Sequence, residues 1–304
     1  MRTLTLSVFL LATALPASGR AQQRRGEEDY LGRIDTTVAF DKRGTVSLTI
    51  GSGEIIVRAW DNAQVRVRAR SERSSIRFDA SPTRLSLDLQ RARGGDTRFE
   101  VTVPFGVRLS ARATSGDISI SGPKGGVEAR TQSGDLTIED VGDMVDLGSL
   151  SGDIIARGIT GSVDVNTVGG DLTLSDVKGD VEATSVSGDI DLRAVIAKYV
   201  RARSTSGDIS FDGTIDSTGR YELGSHSGGV YLTLPQNTGA VFTVSTYSGS
   251  IDSEIPITLT PGEHGMGSSK RFTFSVGKGD ARISAESFSG DITIRTRSRR
   301  PIER

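Results

Sequence analysis

Paired glycine and aspartate residues are the first candidates for chemistry in this 304-residue chain. Gly116-Asp117, Gly134-Asp135, Gly152-Asp153, Gly170-Asp171 and Gly188-Asp189 follow one another at a constant 18 residues. Gly207-Asp208 arrives one residue late, and Gly290-Asp291 is a final good copy. Aspartates in glycine-rich turns supply the oxygen ligands of calcium-binding nonapeptide repeats. Those repeats need an aspartate in every nine residues, whereas here it comes once in 18. The half-repeat turns carry Gly125-Gly126, Met144, Ser162 and Asp180, with no consistent ligand. The expected role of these aspartates is therefore turn capping, with no metal and no cofactor.

A second acidic set consists of Glu128, Asp146, Asp164 and Glu182. Each lies between two apolar positions, so the four should face solvent, one above another. Like charges stacked at about 4.8 Å cost on the order of 1 kcal/mol per neighbour in water. Such a column must be solvated, countered by cations or turned toward a basic partner. It is the candidate interaction surface of the sequence, interrupted in the next coil by Arg201.

Catalytic constellations are thin. The two histidines, His226 and His264, lie in different segments without an His-x-x-x-His spacing, so a zinc site is not expected. Serines and aspartates abound, but no nucleophile elbow accompanies them. Sugar-processing β-helices place carboxylates in a groove beside aromatic platforms. Here Tyr199, Tyr221, Tyr231 and Tyr247 gather in the later coils, a pattern better explained by packing where the repeat loosens.

The elements that hold these residues are read from the columns between the turns. Ile118, Leu136, Ile154, Leu172 and Ile190 occupy one position of the repeat, and Ile120, Ile138, Ala156, Leu174 and Leu192 lie two residues on. Half a repeat later come Val127, Val145, Val163 and Val181, then Ala129, Leu147, Val165 and Ala183. Alternation with period two places each set on one face of a strand. A sandwich of hairpins also shows regular turns, but gives no reason for one residue type to return every second strand. Stacked coils do, because each side chain sits above its counterpart. The expected fold is all-β, a parallel β-solenoid with two short strands per 18-residue coil. Glycine is expected to supply positive φ at the corners, while the serine and aspartate around it bond their own backbone.

The recurrent Ser-Gly-Asp-Ile/Leu turns, Val-Pro-Phe-Gly-Val at 103–107, and Gly-Ser-Gly-Glu-Ile-Ile-Val (51–57) followed by Trp60-Asp61 carry a family resemblance. The chain resembles the bacterial "putative adhesin" family of exported β-strand-repeat proteins, founded on a domain of unknown function. The resemblance covers nearly the whole mature chain. It implies a solenoid-like fold, an envelope or surface location and an adhesive role, and brings no catalytic residues.

The ends and the charge complete the reading. Arg2, the apolar run Leu4–Leu15 and small residues up to Ala21 read as a signal peptide (1–21), too short to span a bilayer. A linker (22–33), an N-terminal β-cap (34–98), the solenoid (99–296) and a disordered basic tail (297–304) follow. Residues 256–270 read as a surface loop. With no cysteine, disulfides, thiolate metal sites and lipid attachment through cysteine are excluded. Residues 24–112 hold 17 basic and 12 acidic side chains, and residues 113–198 hold 6 and 15. Neither block is a polybasic footprint, so no nucleic acid is expected. The chain is thus expected to be exported (periplasmic, outer-surface or secreted) and non-catalytic. It would act as an adhesin-like or structural envelope protein whose partner is an envelope or surface component. The alternative is a polysaccharide-binding or polysaccharide-processing β-helix protein, and self-association through terminal coils is a third option.

Overall fold

A computed structural model describes residues 28–90, 95–255 and 270–297. The signal peptide, the first half of the linker (22–27), His264, almost all of the 256–270 loop and the tail beyond residue 297 lie outside the described residues. Those described form strands and no helix, so among them no helix is long and apolar enough to cross a membrane.

The first strands are β1 (Glu28–Ala39), β2 (Thr45–Trp60), β3 (Gln64–Ala80), β4 (Arg84–Gln90) and β5 (Thr97–Pro104). The regular body follows: β6 (Arg108–Ser121), β7 (Val127–Ser133), β8 (Leu136–Glu139), β9 (Val145–Ser151) and β10 (Ile154–Arg157). It continues through β11 (Val163–Thr167), β12 (Leu172–Ser175), β13 (Val181–Ser185), β14 (Ile190–Ser204) and β15 (Ile209–Ser225). Last come β16 (Val230–Leu234), β17 (Ala240–Thr246), β18 (Ile251–Ser253), β19 (Lys270–Val276), β20 (Ala281–Ser287) and β21 (Ile292–Thr296).

Apolar columns decide how these strands stack. Ile154 of β10 pairs in parallel with Leu136 of β8 and Leu172 of β12, and Leu172 pairs with Ile190. On the other face Val163 lies between Val145 and Val181 in the same way. All of these side chains are buried, because like packs on like and the polar alternates turn outward. A third inward column was not visible in the strand pattern: Val141, Ile159, Val177 and Val195, all 0% exposed, fill the corner between the two faces. Single parallel bridges, Gly142–Thr160, Thr160–Lys178 and Lys178–Ile196, hold that corner.

Parallel stacking reaches further toward the N-terminus than residue 99. Strand β2 pairs with β6 over Thr45–Arg58, with Gly53 beside Gly116. Beyond β2, the β4–β5 segment forms another parallel layer, and β3 and then β1 pair antiparallel outside it. The other end repeats this device. Strand β20 lies between β15 and β17, β21 lies between β16 and β18, and β19 closes the edge antiparallel to β17. The last good Gly-Asp turn therefore inserts ahead of the looser copy that precedes it in the chain. Antiparallel outer strands break the in-register template that an open parallel edge would offer.

The turn chemistry differs from the expectation in three respects. First, positive φ occurs at the turn glycines Gly134 and Gly152, at 139° and 155°, but not at Gly170 and Gly188. What makes them glycine is crowding: a Cβ on Gly188 would sit 1.9 Å from the carbonyl oxygen of Gly170. A further left-handed corner lies elsewhere in the coil, at Gly122, Asp140, Gly158, Asp176 and Ala194, with φ between 52° and 95°. Second, each turn aspartate bonds the next coil rather than its own. The amides of Asp135, Asp153, Asp171, Asp189 and Asp208 donate to the Oδ1 of the aspartate one coil earlier, at 2.8–3.0 Å. Third, the corner hydroxyl is not on the serine before the glycine. It belongs to a buried residue three before it: Ser204 Oγ accepts from the Gly207 amide at 2.8 Å and donates to the Gly188 carbonyl at 3.3 Å. Ser225 does the same between Gly228 and Gly207. These hydroxyls satisfy backbone groups that the corner would otherwise bury unpaired.

Candidate functional site

The outward face of β7, β9, β11, β13, β14, β15, β20 and β17 carries the acidic column. Glu128, Asp146, Asp164 and Glu182 are vertical neighbours, followed by Arg201 and then Glu222. Counter-charges come from within the chain. Arg112 Nη2 lies 2.6 Å from Glu128 Oε1, and Arg130 bridges Glu128 at 3.2 Å and Asp146 at 2.8 Å. Asn166 donates to Asp164 at 2.9 Å, and Arg201 lies 3.5 Å from Glu182. Pairing with arginines of the same chain is thus a further way in which this like-charge column is balanced. Arg112 and Arg130 stand two positions along the strand, in a second outward column, whereas Arg201 stands in the acidic column itself. Burial pushes the Glu128 carboxyl up, but Arg130, Arg112 and Ser110 outweigh it and hold it below the ordinary glutamate range. That direction is opposite to what a general acid needs.

Beyond β13 the face changes character. A groove of about 1430 Å³ runs over the outward sides of β13, β14, β15, β20 and β17. Arg201, Arg203, Arg220 and Arg282 line it together with Glu222 and Glu286, alongside a group of serine and threonine hydroxyls. Glu222 is held by Arg220 at 2.6 Å, with Arg201 at 3.8 Å and Arg203 at 3.9 Å. Arg201 Nε is buried without a hydrogen-bond partner, its counter-charge being Glu222 at 3.8 Å. Gly224 lies on the floor, where the nearest atom to an added Cβ is 3.9 Å away. The missing side chain leaves the middle of the groove wide.

One wall of the groove is a ridge along the solenoid corner. Backbone bonds place Leu150, Val168, Val186, Thr205, His226, Phe288 and Tyr247 in that order, one per coil. Leu150, Val168, Val186, Phe288 and Tyr247 are each exposed, at 43–51%. The rings of His226, Phe288 and Tyr247 stack at 4.8 and 4.9 Å, so their edges form one apolar rim. Each ring follows the buried hydroxyl of its corner, which fixes the backbone from which it projects.

The four later tyrosines do not form a common patch. Tyr221 is buried, its hydroxyl donating to the Ala197 carbonyl at 2.6 Å, and burial raises its pKa. Tyr231 points out on the opposite face, where the Asp208 charge raises its pKa first and burial second. Tyr199 borders the groove, and only Tyr247 joins the ridge. Phe288 and His226 were the missed members; a shared place just before Ser-Gly was the signal. The repeat-turn aspartates Asp117 to Asp208 are spent on backbone capping. Among the described residues no cluster of three or more His, Asp or Glu could hold a metal.

An all-β chain of mostly parallel, in-register strands with a corner ridge and an open groove is a β-solenoid-like scaffold. Residues 93–295 match the family model described as Toastrack DUF4097, and the chain belongs to that family, whose function is unknown. No curated protein gives a match to the chain. Among solved structures it is similar to a "putative adhesin" from Bacteroides fragilis at 14% identity and TM-score 0.42, covering 87% of this chain and 97% of that one. A "putative lipid binding protein" from Parabacteroides distasonis gives 10% identity and TM-score 0.49, over 89% and 98%. A "putative cell adhesion protein" from Clostridium sporogenes gives 9% identity and TM-score 0.25, over 87% and 100%.

Proposed function

We propose that the protein is an exported, non-catalytic, adhesin-like component of the cell envelope. Its 18-residue coils form a rigid solenoid behind an N-terminal β-cap, and it binds an envelope or surface partner through one polar β-face. The observation that supports this reading is the groove over β13, β14, β15, β20 and β17, with arginines on its floor and stacked rings along one wall. Concave sites with a few convergent polar groups are where proteins hold ligands. The groove carboxylate Glu222 is already engaged by Arg220, and Arg271 stands 3.8 Å from Glu286, which favours binding over acid–base chemistry. Fluorescently labelled protein is expected to bind whole cells and purified envelopes saturably, leaving envelope polysaccharides uncut. Linear, non-saturating uptake, or release of sugar fragments, would remove this reading.

A further inference from the structure

The geometry points to a linear, carboxylate-bearing polysaccharide as the occupant of the groove, lying along the solenoid axis with about one pyranose per coil. The inference rests on the binding reading above and names the chemistry of its partner.

Charge makes the first part of the case. Upstream, the outward face presents Glu128, Asp146, Asp164 and Glu182. Over the groove, four arginines stand against Glu222 and Glu286, an excess of two positive charges. The Arg203 and Arg220 side chains are 58% and 66% exposed; Arg203 stands 3.9 Å from Glu222, while Arg220 is bonded to it through Nε and Nη2. Guanidinium forks of this kind match a carboxylate bidentately.

Spacing and shape make the second part. Five strands cross the floor, so the groove is about 19 Å long, with equivalent positions recurring at about 4.8 Å. A chain of pyranose rings advances per sugar by close to that distance. An extended acidic peptide advances by about 3.4 Å per residue and would fall out of step with the arginines. The hydroxyls of Thr184, Thr243, Ser245 and Ser284 suit the hydroxyl groups between successive carboxylates. The rim of His226, Phe288 and Tyr247 gives the apolar face of a sugar ring a surface to lie against.

Calorimetric titration of the whole protein with galacturonate oligomers of increasing length tests this, with uncharged β-1,4-glucose oligomers and poly-L-glutamate as comparators. Affinity for the uronates should rise with length and level off near four or five sugars, as the groove length sets. The neutral oligomers and poly-L-glutamate should each bind about tenfold more weakly or worse. Arg203→Glu should weaken uronate binding at least about tenfold, and Phe288→Ser by several-fold, with circular dichroism unchanged. Arg220→Glu serves as the second charge variant, should Arg203→Glu alter the fold. Equal binding of poly-L-glutamate would assign the groove to an acidic protein, and equal binding of neutral sugar would remove the role of the arginines. No binding by folded protein, or unaltered binding by both charge variants, would also overturn the inference. Saturable envelope binding that survives any of these results leaves the adhesin-like reading standing.

Discussion

Gly188→Ala is expected to cost about 3 kcal/mol or more, although it adds a single methyl group. The new Cβ would lie 1.9 Å from the Gly170 carbonyl oxygen and 2.5 Å from its carbonyl carbon, both backbone atoms that cannot rotate away. Relief requires the coils to part, which would stretch the bond from the Asp189 amide to Asp171 and the hydroxyl bond from Ser204. Gly126→Ala is the matched control. Its Cβ would meet only the Met144 carbonyl oxygen, at an ordinary 3.5 Å, so the change should stay within about 0.5 kcal/mol. Denaturant midpoints compare the two. Amide exchange should place the damage in β12, β13 and β14, since coils of a solenoid feel mainly their neighbours. Equal stability of the two variants would mean that the glycine column is not packed as described.

Leu172→Ala should be similarly costly, at about 2–5 kcal/mol, because its side chain is fully buried between Ile154 and Ile190. A thin interior offers few side chains able to move in and fill the gap. Ile155→Ala in the adjacent strand removes a branched side chain too, but that residue faces outward and is 43% exposed. It should change stability by less than about 0.5 kcal/mol. A comparable loss for both would place Leu172 and Ile155 on the same side of the sheet, against the alternation observed. Calorimetric unfolding of the two variants gives the comparison.

The stacked body was legible in the sequence because every coil repeats the same inward residues, and in-register stacking is what makes such repetition useful. Ile118 and Leu136 could be paired on paper for that reason. Three things were hidden, each for a physical reason. The arginines that neutralise Glu128 and Asp146 stand two positions along the strand, where the side chain varies from coil to coil: Arg112, Arg130, Gly148, Asn166. The insertion of β20–β21 between earlier coils is a topological choice that no local propensity records. The ring stack of His226, Phe288 and Tyr247 depends on that insertion, since their unequal separations along the chain become equal steps only in the folded coil order. The turn glycines were found correctly, and the positive φ expected of them holds at Gly134 and Gly152 but not at Gly170 and Gly188. Close approach between coils, not left-handed backbone, excludes a side chain at Gly170 and Gly188.

Everything described depends on residues 18 apart being vertical neighbours. The chain has no cysteine, so spin labels at Thr137→Cys and Thr173→Cys report on one pair alone. Both positions face outward on either side of Ile155, which places the two backbones about 10 Å apart across two coil spacings. Frozen-solution electron spin resonance should show strong dipolar broadening relative to the two single-label proteins. A double-label spectrum equal to the sum of the singles would contradict the stacking on which the groove, the ridge and the aspartate ladder all rest.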